Sequence, residues 1–330
     1  MIFDNIEFHN VEELQACDEG YRMWRLPGWV RDNINEKAGK ISSGFATGVE
    51  LRFKMKSDNV TLFLSAENMT EATVAYIYYG SIQGGWADSS RVILTEKTAV
   101  HIKKPNNMEK LKKISKDQNL PFSPEVVRVV LPYGSICYIG VDGEVEPPAK
   151  DELPVQSYLA YGSSITHGSL ALAPPYTYPF RLAQKFGCDY VNLGFAGSAY
   201  MEKAMAEYIV SRKDWNFATV EMGINMLEEE IDEFENNIDV FTQILQKDPR
   251  PIFATSIYGF SDPSGQEKGK KMRAIVEKYA KDRLIFTDGL EFLNNPAFIA
   301  QDMVHPSLEG IEQIGNNWFK VIQGYYSSGR

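Results

Sequence analysis

Cysteine is scarce in this chain. Three occur in 330 residues, Cys17, Cys137 and Cys188, far apart and odd in number. Spacing of that kind suggests neither a disulfide framework nor a zinc site, and no metal is expected. No apolar run reaches bilayer length, so no membrane partner is expected. The N-terminus, Met1-Ile2-Phe3-Asp4-Asn5-Ile6-Glu7, carries acids where a secretory signal carries a basic region, and the expected location is cytoplasmic. Basic charge is outnumbered, with 34 Lys and Arg against 44 Asp and Glu, net −10. The imbalance is uneven: residues 1–150 sum to −2 and residues 151–330 to −8. An acidic C-terminal half argues against nucleic acid or an anionic membrane as the main partner. The one basic run, Lys103, Lys104, Lys110, Lys112, Lys113 and Lys116, contains Pro and Asn and fits a solvated loop. Internal repeats and low-complexity tracts are absent.

What is present is enough apolar material for packed cores, 44% hydrophobic and 12% aromatic, on a length that suits two domains. Residues 1–152 read as an antiparallel β-sandwich, jelly-roll-like. From about residue 48 to 141 apolar residues alternate (Val49, Leu51, Phe53, Met55; then Val60, Leu62, Leu64; later Val127, Val129), with Ser57-Asp58-Asn59, Gly84-Gly85 and Asp142-Gly143 as turns. Pro147-Pro148 and Leu153-Pro154 mark a linker. Residues 153–330 change period. Apolar strands at 155–161, 189–193, 217–222, 252–257 and 284–287 alternate with helical spacings such as Met201, Ala204, Met205, Tyr208 and Ile209. Other helix faces carry Ile231, Phe234, Ile238, Phe241 and Leu245; Met272, Ile275, Val276 and Tyr279; and Ile311, Gly315, Trp318 and Ile322. Strand–helix alternation implies parallel strands and right-handed crossovers, hence a three-layer α/β/α, flavodoxin-like sheet with its site beyond the strand C-termini.

Four loops fall at those ends or beyond the last strand. Gly162-Ser163-Ser164-Ile165-Thr166 follows the first strand, where a hydroxyl at a strand-to-helix turn projects above the sheet. Ser and Gly are ordinary turn residues, so this loop alone also reads as a plain βα turn. Asn192-Leu193-Gly194-Phe195-Ala196-Gly197-Ser198 follows the second strand, and Gly197 can bring its N–H close to a ligand. In Glu221-Met222-Gly223-Ile224-Asn225 the Asn225 amide can aim at the same point. Asp302-Met303-Val304-His305 precedes the closing helix. Its spacing lets the carboxylate hold one imidazole nitrogen while the other takes a proton from serine. Only four histidines occur, His9, His101, His167 and His305.

In that order these loops resemble the four blocks of the SGNH (GDSL-type) hydrolase superfamily. The resemblance implies Ser164 as nucleophile, Asp302 and His305 as its triad partners, and Gly197 and Asn225 beside the Ser164 N–H as oxyanion donors. The N-terminal half resembles the sandwich that precedes some members, at Trp24-Arg25-Leu26-Pro27, Gly48-Val49-Glu50-Leu51-Arg52-Phe53, and Leu131-Pro132-Tyr133 with Ile139-Gly140-Val141-Asp142. Two positions depart. Ser163 stands where the superfamily has Asp before the nucleophile, so a carboxylate is missing beside Ser164. Met226 stands where an Asp follows the block-three Asn.

The activity implied is ester hydrolysis through a Ser164 acyl-enzyme, with no cofactor. The expected substrate is a short acyl ester, acetyl foremost, of a carbohydrate or similar polar alcohol. The lack of a long apolar lid between the blocks disfavours a lipase. An acyltransferase using the same triad, and a glycan-binding protein with an inert hydrolase half, are the competing readings; a thioesterase or lysophospholipase is a poorer one. His167, Tyr200 and Tyr258 are candidates for lining the substrate site, although packing or capping suits His167 and a core position suits any tyrosine. Trp24, Tyr78, Tyr79 and Trp86 are weaker candidates for stacking on a sugar. The acidic stretch Glu228 to Glu233 suits the first turn of a surface helix better than a metal site.

Overall fold

The structure, a computed structural model, describes residues 1–67, 73–86, 90–259 and 267–329. Its N-terminal half holds two antiparallel sheets. One runs Ile2–Phe3, Ile6–His9, Glu50–Met55, Val126–Val130, Val74–Tyr79 and Ile82–Gln83, with Val145–Glu146 and Arg91–Ile93 as side partners. The other runs Thr98–Lys103, Asn59–Glu67, Ser135–Asp142, Gly20–Trp24 and Glu13–Cys17. Alternation is the cause. Along Asn59–Glu67 the side chains of Val60, Leu62 and Leu64 enter the core while Phe63 turns out. The strands before residue 24 escaped the periodicity reading because most of Glu13–Cys17 and Gly20–Trp24 is only half-buried.

Val126–Val130 does not alternate at all; every residue is buried. Val127 and Val129 face the sandwich core, while Val130 joins Tyr76, Tyr78, Tyr158, Phe180 and Tyr190 on the other side. This sheet is therefore a middle layer, covered by the C-terminal half. Burial on both faces leaves the strand no exposed position: four of its five residues are Val, and the fifth, Arg128, is paired with Glu50.

The C-terminal half is a parallel sheet of five strands: β1 (Ser157–Gly162), β2 (Asp189–Gly194), β3 (Phe217–Glu221), β4 (Ile252–Thr255) and β5 (Ile285–Thr287), in the order β2-β1-β3-β4-β5. Its helices are α1 (Ser164–His167), α2 (Tyr178–Phe186), α3 (Lys203–Ser211), α4 (Ile231–Leu245), α5 (Glu267–Ala280) and α6 (Leu308–Ser327). Met205 and Ile209 of α3, Phe234, Ile238 and Phe241 of α4, and Met272 and Val276 of α5 cover one face. Phe180 and Leu182 of α2, with Ile311, Ile314 and Trp318 of α6, cover the other. The expected three-layer α/β/α arrangement is thus present. Helix α2 was not anticipated, yet its punctuation is in the chain: Thr177 caps it, Pro179 lies in its first turn, and left-handed Gly187 ends it.

One expectation is corrected here. The basic run is not a solvated loop: Lys103 ends a strand, and Lys110, Lys112, Lys113 and Lys116 lie on a helix, Met108–Asp117. Met108 and Leu111 tuck that helix against the sandwich core, and Lys113 pairs with Asp117 one turn on. Two cysteines remote in sequence also meet in space. The Sγ atoms of Cys17 and Cys137 lie 3.6 Å from each other as free thiols, because the hairpin carrying Cys17 packs beside the strand carrying Cys137.

The two halves interlock. Arg52 makes a bidentate pair with Asp189 at the start of β2, 2.6 Å on each arm, and Glu50 bridges Arg52 and Arg128, all buried. Leu26, Val30 and Ala38, from an N-terminal excursion bearing the short helices Gly28–Arg31 and Glu36–Lys40, share one core with Phe195, Met201 and Met205. No helix among the described residues is long and apolar enough to cross a membrane.

Candidate active site

The strand order reverses between β1 and β3, the place where an open parallel sheet leaves a crevice. Ser164 is the first residue of α1 and lies directly beyond β1. Ser163 caps that helix, its hydroxyl accepting from Ile165 N–H at 3.1 Å. Ser164 is 6% exposed. Its Oγ is 2.7 Å from His305 Nε2, and His305 Nδ1 is 2.7 Å from Asp302 Oδ2. The second oxygen of Asp302 accepts the backbone N–H groups of Val304 and His305, each at 2.9 Å. Met303 adopts φ 61° to close that loop. Partial burial pushes the Asp302 pKa up, but the two backbone donors and the imidazole outweigh it and hold the carboxyl below its ordinary value. Residues 141 apart in sequence thus form one continuous chain of hydroxyl, imidazole and carboxylate.

Asn225 sits in the turn after β3, on a loop opened by Gly223 at φ 121°. Its Oδ1 accepts Ala199 N–H at 3.0 Å, which turns Nδ2 away from that partner and ties the turn after β3 to the loop after β2. Gly197, in that second loop, is left-handed at φ 63°, and a Cβ there would meet the end of the Lys37 side chain. Lys37 comes from the N-terminal excursion. Asn35 holds its helix down by donating to Ser198 O at 2.9 Å, and the Ser42 hydroxyl meets that of Ser198 at 3.0 Å.

The sequence carries no carboxylate next to Ser164, where Ser163 stands. Glu221, the last residue of β3, brings one there through space. Its oxygens accept Ser163 Oγ at 2.7 Å, Ser163 N–H at 3.1 Å and Thr166 Oγ1 at 2.8 Å, and the residue is 1% exposed. A Cβ on Gly162 would collide with Thr166 Oγ1 and Glu221 Oε2, so glycine leaves the room this carboxylate occupies. Nothing in the local pattern announced it, beyond an acidic residue at the end of a fully buried strand.

The three candidate lining residues fare differently. His167 is fully buried and does not reach a substrate crevice. Its Nδ1 meets Gly194 O at 3.0 Å, and its ring packs on Tyr133 and Phe45 of the N-terminal half, 4.2 and 5.7 Å between centroids. Burial first, then the nearby Arg25 charge, push its pKa well below the ordinary histidine value. Tyr258 is also buried, its hydroxyl accepting Trp318 Nε1–H at 2.9 Å under α6. Both lining expectations are corrected: each ring is covered by an element distant in sequence. Tyr200 is half-buried and donates to Glu229 at 3.0 Å. Of the sandwich aromatics, Trp24, Tyr78 and Tyr79 are core residues, whereas Trp86 is 97% exposed. Asp232 and Glu233 occupy the first turn of α4, as the sequence suggested. A groove of about 610 Å³ lies between α2 and α6, lined by Leu172, Tyr176, Arg181, Leu308 and Ile311, and includes none of the site residues.

A flavodoxin-like sheet carrying a hydroxyl–imidazole–carboxylate chain at its switch point is the frame of a serine-type hydrolase. The chain belongs to the GDSL-like lipase/acylhydrolase family, whose match spans residues 156–323. It is therefore a serine-dependent carboxylic ester hydrolase, as the four loops implied. Among curated proteins none matches it. Solved structures share its fold along nearly the whole chain. The salicylyl-acyltransferase SsfX3 from a tetracycline biosynthetic pathway is 16% identical, with TM-score 0.75, 97% of this chain and 96% of that one covered. The acetyl xylan esterase Est2A from the rumen bacterium Butyrivibrio proteoclasticus is 11% identical, with TM-score 0.56, 99% and 97% covered. A family two carbohydrate esterase from Clostridium thermocellum, in complex with cellohexaose, is 12% identical, with TM-score 0.56, 84% and 92% covered.

Proposed function

We propose that this protein removes short acyl groups, acetyl foremost, from a carbohydrate or similar polar alcohol, with Ser164 as nucleophile. The observation that carries the reading is the pair of 2.7 Å contacts linking Ser164 Oγ, His305 and Asp302. Ser164 Oγ attacks the ester carbonyl while His305 Nε2 takes its proton. Asp302 holds Nδ1–H, so the imidazole presents a free Nε2 and its cation is stabilised once formed. The carbonyl oxygen becomes an oxyanion, received by the N–H groups of Ser164 and Gly197 and by the Asn225 amide. Each such donor, when well placed, contributes about 2.7–4 kcal/mol to lowering the barrier. The tetrahedral intermediate collapses, its C–O bond breaks, and His305 gives the proton to the departing alcohol. Water, deprotonated by His305, then attacks the acyl-enzyme and frees the acid and Ser164.

The choice of a short acyl group and a sugar is supported by the likeness in fold to the xylan and carbohydrate esterases. The likeness to a salicylyl-acyltransferase favours a second reading within the same chemistry, in which an alcohol replaces water in the last step. The test is fluorophosphonate labelling of wild type and Ser164→Ala, followed by acetyl, butyryl and longer p-nitrophenyl esters, then acetylated sugars. The reading requires labelling of wild type alone and fastest turnover on acetyl esters. An unlabelled wild type, or equal labelling of both, overturns it, and a preference for long chains overturns the substrate class. Acyl transfer to a competing alcohol in preference to water identifies the second reading.

A further inference from the structure

We infer that Glu221 is a positioning residue for the nucleophile, doing from the end of β3 what a carboxylate at position 163 would do from within the nucleophile turn. The inference rests on Ser164 being the nucleophile, as proposed above. Ser163 is bound to this one carboxylate twice, through its N–H at 3.1 Å and its hydroxyl at 2.7 Å, and Thr166 Oγ1 adds a third contact at 2.8 Å. The residues immediately before and two after Ser164 are therefore anchored to one buried group, which fixes where the Ser164 side chain points. Ser164 Oγ itself is left to His305.

The anchor also has a far end. Four residues beyond Glu221 lies Asn225, whose Oδ1 holds Ala199 N–H. One side chain therefore registers the nucleophile turn against the turn carrying a candidate oxyanion donor. Misplacement of reacting groups by about 1 Å can cost on the order of 100-fold in rate, so such a tie is felt in turnover. Burial raises the Glu221 pKa while the Ser163 and Thr166 donors oppose that shift, the mark of a carboxyl held out of water by its hydrogen bonds. Tyr178 OH, 2.7 Å from Thr166 Oγ1, closes the group from the α2 side.

The experiment compares wild type, Glu221→Gln, Ser163→Ala and the double variant Ser163→Asp/Glu221→Gln. Readouts are fluorophosphonate labelling rate, kcat and KM on p-nitrophenyl acetate across pH, and melting temperature. Asp is a favoured N-cap, so at position 163 it can keep Ile165 N–H while restoring a carboxylate to the turn. The expected result is a tenfold or larger fall in kcat and labelling rate for Glu221→Gln, with KM changed less than threefold. The double variant recovers at least a third of the loss on a logarithmic scale. Wild-type kcat and labelling in Glu221→Gln overturn the inference, as does a folded double variant no faster than Glu221→Gln. Should Glu221→Gln not fold, Ser163→Ala decides: a threefold or larger fall in kcat per folded molecule, at unchanged KM and measured well below its melting temperature, supports the role, and an unchanged kcat overturns it. An unlabelled wild type overturns the esterase reading itself, whereas a labelled wild type with indifferent variants overturns only the role of Glu221.

Discussion

Arg25 donates to the carbonyl oxygen of Gly194 at 3.0 Å, so a side chain from the first thirty residues holds the last residue of β2. The same guanidinium donates to Asn192 O, Ser42 O and Phe45 O and lies over the Phe195 ring. Among the described residues no carboxylate pairs with it; burial pushes its pKa down to about 9, and backbone carbonyls are its partners. Through this residue the sandwich half controls where the loop with Gly197 begins.

Replacing Arg25 by Met removes its hydrogen bonds from four carbonyls, of which Asn192 O keeps Asn10 Nδ2 and Gly194 O keeps His167 Nδ1. The expected cost is about 3 kcal/mol or more in stability, because buried acceptors lose charge-assisted hydrogen bonds. Arg25→Lys should recover little, since one ammonium cannot span the planar fork's partners. Urea unfolding checks the first expectation. The second is checked by whether hydrolysis falls further than the folded fraction does.

Asp302→Asn should leave the fold and KM nearly unchanged and lower kcat on the order of 10⁴-fold, because an amide favours the wrong imidazole tautomer. Steady-state kinetics on p-nitrophenyl acetate measure this. A loss under tenfold would remove Asp302 from the mechanism.

Acid should unfold the protein through the buried cluster of Glu50, Arg52, Arg128 and Asp189. Burial by itself would raise the Glu50 and Asp189 pKa values, but the guanidinium groups of Arg128 and Arg52 outweigh it and hold both well below the usual carboxylate range. The unfolded chain then binds more protons as pH falls, so the stability these groups contribute is present above about pH 4 and lost below it. Melting temperatures between about pH 6 and pH 3 should fall steeply in wild type. In Glu50→Gln the melting temperature should start lower at neutral pH and fall less, since one acid-titrating carboxylate has gone and Arg128 has lost its ionic partner.

Gly197→Ala should cost about 1 kcal/mol from the left-handed backbone alone. The new methyl also displaces the Lys37 ammonium, the flexible end of a long side chain, so the fold should survive. Activity should fall more than stability, because the N–H assigned to the oxyanion turns with the strained peptide. Denaturation curves alongside kcat separate the two effects.

Much of the α/β layer was legible because its signals are local. Phe234, Ile238 and Phe241 repeat at helical spacing and do lie on one buried face of α4. The site loops were legible for a related reason: three follow a strand end, the fourth lies beyond the last strand, and parallel strands bring all their C-termini to one edge. The strands before residue 24 and the helices at Gly28–Arg31 and Glu36–Lys40 were not legible. All are short: the helices owe their place to packing against residues such as Met201 and Met205, and the strands to the sandwich core that Ile6, Phe8 and Met23 enter.

His167 and Tyr258 show where local reading ends. Both follow strands on the functional edge, yet Tyr133 and Phe45 cover one and Trp318 caps the other, so neither reaches the crevice. The order of residues by itself determined the class of sheet and which four loops meet at its rim, since periodicity and strand polarity are properties of neighbours along the chain. Only the folded molecule decided which side chains lie beneath others, and that Glu221, 57 positions past the serine, supplies the carboxylate its turn lacks. Burial and convergence depend on what the remote parts of the chain place overhead, and no local window contains that.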